Sequence, residues 1–231
     1  MLKQDLTLRN PLRLLGENTE DNLAEGGFGA VLARAGVGKT ALTVQIALNS
    51  LLKSHNVLHI SLNDPVNKVT LWYKEVFKSL AGQYNLKQIN QLWEAMLAYR
   101  FIMTFRVEGF SVPKLEERLN DLTVQKIFIP RMVIIDGMPF DAGVQQHLLA
   151  LKEMARRRGL HMWFTVQTHR HEPPRPDGLP PQLDHIADLF EVVIQLAPQG
   201  EEIHITALKG ADSDANLPPL QLDPSTMLIK A

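Results

Sequence analysis

One stretch, Gly29-Ala-Val-Leu-Ala-Arg-Ala-Gly-Val-Gly-Lys-Thr40, constrains what this chain can fold into. The apolar run Ala30-Val31-Leu32 reads as a buried strand, two glycines turn the chain, and apolar residues then recur at helical spacing from Ala41 through Leu42, Val44, Ile46, Ala47, Leu48 and Leu51. Strand, glycine turn and helix in that order make a cradle for phosphate. Backbone N–H groups converge on one concavity, a lysine reaches the β- and γ-phosphates, and a hydroxyl reaches Mg²⁺. Ala35, Gly36, Val37, Gly38, Lys39, Thr40 and Ala41 are therefore the candidate nucleotide-binding residues, with Lys39 also acting on the phosphates in catalysis and Thr40 on the metal. The positive N-terminal end of the helix adds to the attraction for an anion. Ala33 stands where such loops commonly carry their first glycine, a departure that relaxes the first turn only slightly. A turn without a ligand is the plain alternative, and the strand before it and the helix after it weigh against that.

The rest of the composition sets bounds. With 231 residues, 45% of them hydrophobic and 21% charged, the chain has enough apolar surface for one large core, so one domain is the default. A formal net charge of −1 gives no global basic field, and any contact with nucleic acid needs a local patch. The absence of cysteine excludes a disulfide framework, a thiolate zinc site and a cysteine nucleophile. No signal-peptide core opens the sequence and no apolar run approaches the roughly 20 residues of a membrane span, which leads us to expect a cytoplasmic protein with no membrane partner.

Residues 1–25 mix leucines with polar residues and read as an N-terminal arm leading to a turn at Gly26-Gly27; residues 26–231 read as a single domain. After the first helix, Val57-Leu-His-Ile-Ser-Leu62 reads as a second buried strand in which His59 is a core histidine rather than a ligand. A helix opens at Pro65 with Val66, Val69, Tyr73, Val76, Phe77 and Leu80 at helical spacing, and another carries Leu86, Ile89, Trp93, Met96 and Leu97. Trp72, Tyr73, Phe77 and Trp93 fall on these apolar stripes and read as core, not as a platform for stacked bases. Phe101 to Arg106 reads as a third strand, and Ser111 with Pro113 starts a further helix.

Arg131-Met-Val-Ile-Ile-Asp136 is the second chemical landmark, a strand buried on both faces that ends in an aspartate and then Gly137. A carboxylate is disfavoured there unless it is paired, hydrogen-bonded or beside a cation, and a Mg²⁺ held by Thr40 is such a partner. A turn or capping aspartate is the alternative, and the glycine loop upstream favours the metal role. The following helix ends in Arg156-Arg-Arg158 and Gly159, which is capping chemistry for its negative end. Met162 to Gln167 reads as a fourth core strand whose terminal amide can hydrogen-bond a γ-phosphate or its attacking water. A proline-dense loop runs from Thr168 to Pro181, where His169 and His171 have same-side spacing but no further metal ligands nearby. A short helix around Leu183 to Asp188, strands at Phe190 to Leu196 and Ile203 to Leu208, a turn at Gly210 to Asp214 and a last strand near Met227 to Ile229 complete the expectation.

The order of these features resembles the RecA-like P-loop ATPases, especially the KaiC-like and DnaB-helicase-like cores. The resemblance spans nearly the whole chain and rests most on Ala35-Gly-Val-Gly-Lys-Thr-Ala-Leu42, with the Walker B pattern at Asp136 and the amide of Gln167 gaining weight from order and spacing. It implies an α/β fold with a mostly parallel central sheet flanked by helices and a C-terminal β-hairpin, ATP at the carboxyl ends of the strands, Mg²⁺ on Thr40 and Asp136, Gln167 sensing the γ-phosphate, and a homo-oligomeric ring or filament. Two departures stand out. Relatives usually carry a water-activating glutamate just after the second strand, where this chain has Asn63 and Asp64. Asparagine cannot accept a proton and aspartate is a methylene shorter, so Asp64 is either the base or, with Asn63 and Pro65, a cap for the next helix. Relatives that work as rings commonly reach a neighbour's nucleotide with a Lys-x-Arg pair, and here the sequence is Lys209-Gly-Ala211.

What the resemblance implies is an ATP-binding, Mg²⁺-dependent ATPase of slow turnover that couples nucleotide state to oligomerisation or partner binding. A recombination or replication accessory that binds single-stranded DNA is one alternative, and a nucleotide-dependent switch acting on a protein partner with little or no hydrolysis is another. The loop after Gln167 offers DNA little chemistry, since Arg170 and Arg175 are offset by Glu172 and Asp177 and no aromatic residue is present for stacking.

Overall fold

The computed structural model describes residues 23–82, 86–141, 143–169, 178–210 and 220–230. Most of the N-terminal arm, the turn after Gly210 and the centre of the proline-dense loop, with Arg170, His171, Glu172, Arg175 and Asp177, lie outside the described residues. In chain order the elements are β1 (Phe28–Ala33), α1 (Lys39–Leu52), β2 (Val57–Ser61), α2 (Val66–Ala81), α3 (Leu86–Leu97), β3 (Arg100–Thr104), α4 (Val112–Val124), β4 (Met132–Asp136), α5 (Val144–Arg158), β5 (His161–Gln167), β6 (Val192–Gln199), β7 (Glu202–Lys209), β8 (Leu220–Leu222) and β9 (Ile229–Lys230).

Among the described residues the strands join one nine-stranded sheet in the order β3-β2-β4-β5-β1-β6-β7-β8-β9. Pairing is parallel from β3 across to β6 and antiparallel from β6 to β9. The chain is therefore α/β with a mostly parallel sheet and a C-terminal hairpin, β6–β7. The division follows from burial: β1, β2 and β4 are buried at every position, as strands covered on both faces must be, whereas β7 exposes or half-exposes most of its residues.

Alternation along the strands builds two apolar layers. Phe28, Ala30 and Leu32 of β1 join Leu58, Ile60, Val133, Ile135 and Phe164 under α4 and α5. Val31 and Ala33 of the same strand face the other way, with Val57, Ile134 and Trp163, under α1, α2 and α3. Tyr73 and Phe77 are fully buried in this second layer, and Trp72 and Trp93 lie half-buried against it, Trp93 5.3 Å from Phe77, so the aromatic stripe packs on the core. Gly159 caps α5 at φ 62, and Arg157 and Arg158 turn to Glu116, with Arg158 also bonded to Asn120.

Three local features differ from the sequence expectation. The helix expected around Leu183 to Asp188 is two short 3₁₀ turns, Pro181–Leu183 and Ala187–Leu189. The break is backbone geometry, with Asp184 non-helical at ψ 135 and His185 left-handed at φ 59. The last strand starts at Ile229, because Met227, at φ 56, closes a turn in which its N–H donates to the Asp223 carbonyl at 2.7 Å. Finally, Leu220-Gln-Leu222 forms β8, a strand too short to be read from three alternating residues. Among the described residues, no helix is long and apolar enough to cross a membrane.

Candidate functional site

The loop from Arg34 to Gly38 leaves the carboxyl end of β1 and enters α1 through two backbone positions that L side chains avoid, Gly36 at φ 78 and Gly38 at φ 106. At Gly38 a Cβ would also stand 2.9 Å from Cδ2 of Leu222, which would have to shift. The first N–H groups of α1 have no partners within the helix and face the loop. Lys39 curls back over it, and its Nζ donates to the carbonyls of Ala33 and Arg34, each at 2.9 Å. Burial pushes the Lys39 pKa down, and the carboxylate of Asp136 opposes that shift.

Asp136 ends β4 as a buried carboxylate. Thr40 Oγ1 donates to its Oδ2 at 3.0 Å and Thr165 Oγ1 donates to its Oδ1 at 2.6 Å, while the Gly137 N–H donates to Thr165 Oγ1 at 2.9 Å. A buried carboxylate needs such donors, and here one helix and one strand supply them. Thr165 was not singled out from the sequence. Its signal is a hydroxyl within the apolar run Met162 to Val166, and the register of β4 on β5, which pairs Ile135 with Phe164, brings it opposite Asp136.

Because β5 lies between β4 and β1, with Ala33 in register with Gln167, the amide of Gln167 reaches the edge of the same glycine loop. An open cleft of about 670 Å³ results, lined by Ala35, Gly36, Lys39, Thr40, Asn63, Asp64, Asp136, Thr165 and Gln167, and also by Met138 to Asp141, His169 and Gln182. Val37, Gly38 and Ala41 do not line it. Val37 and Ala41 are buried in the core and Gly38 packs under Leu222, so these three shape the loop through their backbone.

Asp64 corrects one of the two readings left open by the sequence. Helix α2 is capped at Pro65 without any side-chain hydrogen bond, and the Asp64 carboxylate instead pairs with Lys68, one turn into the helix, at 2.8 Å. It therefore does not cap α2. Its own N–H donates to Ser61 Oγ at 2.9 Å, which holds the carboxylate at the cleft wall. Asn63 fills the space over Gly137, where a Cβ would stand 2.2 Å from Asn63 Nδ2. Lys209 closes β7 with its Nζ on the Ala187 carbonyl of the same chain at 3.0 Å, so in this structure it braces a 3₁₀ turn.

Behind Asp136 lies His59, fully buried in β2, with its Nδ1 3.1 Å from the Tyr73 hydroxyl and its Nε2 3.9 Å from Asp136 Oδ2. Burial lowers its pKa to about 4 and the charge of Arg100 adds to that, against the carboxylates of Asp136 and Asp64. The ring is thus neutral at pH 7. Burial raises the Tyr73 hydroxyl in turn, and the Arg100 guanidinium lies 4.8 Å above the Tyr73 ring.

Among the described residues, no group of three or more His, Cys, Asp or Glu side chains gathers to hold a metal. The donors that do converge, one hydroxyl and one carboxylate beside a cleft open to water and phosphate, fit Mg²⁺, which keeps several waters and takes few protein ligands. No family model matches the sequence, and no curated protein matches it.

Proposed function

We propose that the chain binds ATP with Mg²⁺ in this cleft as a RecA-like ATPase of slow turnover, and that nucleotide state governs its self-association or its hold on a partner. The observation that carries this reading is the hydrogen bond from Thr40, the first hydroxyl after the loop lysine, to Asp136, 96 residues away. It joins the two groups that P-loop chemistry needs on one cation, beside Lys39 and at the carboxyl ends of parallel strands.

In this reading the loop N–H groups and Lys39 hold the phosphates, the lysine exchanging the carbonyls of Ala33 and Arg34 for phosphate oxygens. Thr40 and Asp136 hold Mg²⁺, which when bound neutralises charge on the β- and γ-phosphates. Gln167 orients the γ-phosphate or the attacking water, and Asp64, which follows β2 in the chain, is the carboxylate that takes the proton. Asp64 is a methylene shorter than the usual glutamate and its carboxylate is held by Lys68, which supports slow hydrolysis.

Titration calorimetry with ATP tests the binding half. Wild type is expected to bind ATP more tightly with Mg²⁺ than in EDTA, and Lys39→Ala to lose at least about tenfold in affinity, since it removes a charge-assisted contact. Absence of Mg²⁺-dependent ATP binding would end the reading. Turnover is expected to fall in Asp64→Asn; unchanged turnover removes Asp64 as the base. Sizing the protein with and without Mg²⁺–ATP, and again with single-stranded DNA, separates self-association from strand binding.

A further inference from the structure

His59 lies between Leu58 and Ile60, and the residues that face it on β3 and β4 are both isoleucines. Its register partner on β4 is Ile134, so Asp136, two residues further on, is its diagonal neighbour on the same face of the sheet. The imidazole is fully buried and its Nε2 has no hydrogen-bond partner, an arrangement that costs free energy and that a leucine of similar size would avoid. A histidine kept for packing alone has no reason to point this nitrogen at a carboxylate.

The hydrogen-bond chemistry selects the tautomer. The phenol of Tyr73 is a good donor, and donation to Nδ1 leaves the ring proton on Nε2, facing Asp136 Oδ2 at 3.9 Å. The opposite tautomer would set a lone pair against the carboxylate. Arg100, stacked on Tyr73 and on Trp93, keeps the phenol ring in place. The two oxygens of Asp136 already take Thr40 and Thr165, and His59 Nε2, 3.9 Å from Oδ2 and not bonded to it, is a third donor group that is independent of the loop.

We propose that His59, held in one tautomer by Tyr73, is a positioning residue for Asp136, and that its Nε2–H closes on Oδ2 when the cleft fills, fixing the carboxylate toward a divalent cation. This rests on the reading of the cleft as a Mg²⁺–nucleotide site. Donors of this kind behind a ligating carboxylate orient it and raise metal affinity.

The test is Mn²⁺ binding to the protein–ADP complex, followed by electron paramagnetic resonance of the free ion, together with ADP affinity in EDTA. His59→Leu is expected to weaken Mn²⁺ binding about tenfold or more. Tyr73→Phe, which keeps the ring and removes the donor, is expected to weaken it less, and His59→Gln, whose amide nitrogen approximates Nε2, to restore most of it. ADP affinity in EDTA should be equal in all four proteins. A spectroscopic readout separates positioning from packing: in ¹⁵N-edited NMR the Nε2 proton of His59 should move downfield when Mg²⁺–ADP is added. If wild type binds Mn²⁺–ADP and both His59→Leu and Tyr73→Phe bind it within twofold, the positioning role is wrong while the cleft reading survives. A resonance that does not move has the same meaning. If wild type binds no Mn²⁺–ADP, both fall together. Tyr73→Phe carries the affinity test should His59→Leu fail to fold.

Discussion

At the scale of single residues, the site is a set of polar groups placed where apolar ones would pack more easily. Asp136, Thr165 and His59 are all buried, and two of the three satisfy each other directly. His59 gives this arrangement a pH dependence whose sign can be worked out. Its folded pKa, about 4, lies below the ordinary value of 6.5, so between these values the unfolded chain binds the proton that the folded chain refuses. The associated stability is fully present above pH 6.5 and is lost as pH falls through the window toward 4. Urea denaturation of the metal-free protein between pH 7 and 4.5 should show this loss in wild type, and His59→Leu should lack that part of it.

At the scale of elements, strands buried on both faces leave no slack. Gly29 of β1 is in register with Trp163 of β5, and a Cβ on it would stand 2.6 Å from the indole ring. The ring is itself buried and has nowhere to go. Gly29→Ala should therefore cost about 1–3 kcal/mol through overpacking, read as a lower urea midpoint at unchanged slope. This glycine looks, in sequence, like part of the loop motif, but its requirement is packing, whereas Gly36 and Gly38 are needed for their positive φ. The helices were legible to within a residue or two because their signals are local: Val69, Tyr73, Val76 and Phe77 recur at 3.6-residue spacing and are the buried face of α2. The turns between Pro181 and Leu189 were not legible as 3₁₀, because a left-handed His185 leaves no mark in residue type.

At the scale of the whole molecule, the far edge of the sheet returns to the glycine loop. Gln45, fully buried in α1, donates from Nε2 to the Met227 carbonyl at 2.6 Å and accepts from the Ile229 N–H at 3.3 Å. Leu222 lies against Gly38 from the same segment. The helix that starts the phosphate cradle is thus clasped to β9 and to the turn before it by one amide. Gln45→Leu would leave both backbone groups without that partner at a cost of about 1–3 kcal/mol. Hydrogen exchange should show the Ile229 amide opening about tenfold faster or more in this variant, since β9 is only two residues long and pairs with β8 alone in the sheet.

By itself the sequence determined the glycine turn between a strand and a helix, the buried strand that ends in Asp136, and the periodicities that say which side chains go inside. Each of these depends on residues within a few positions of one another, so short-range sterics and the hydrophobic pattern suffice to read them. Tertiary structure alone decided which strands are neighbours. The insertion of β5 between β4 and β1 put Thr165 on Asp136 and Gln167 beside Ala33, and the register of β2 on β4 put His59 behind the carboxylate. It also decided that Asp64 turns to Lys68 rather than capping α2, and that Gln45 holds the C-terminal strands. Those choices follow from strand order and register, which are set when the whole apolar core closes at once and leave little trace in any one stretch of the chain.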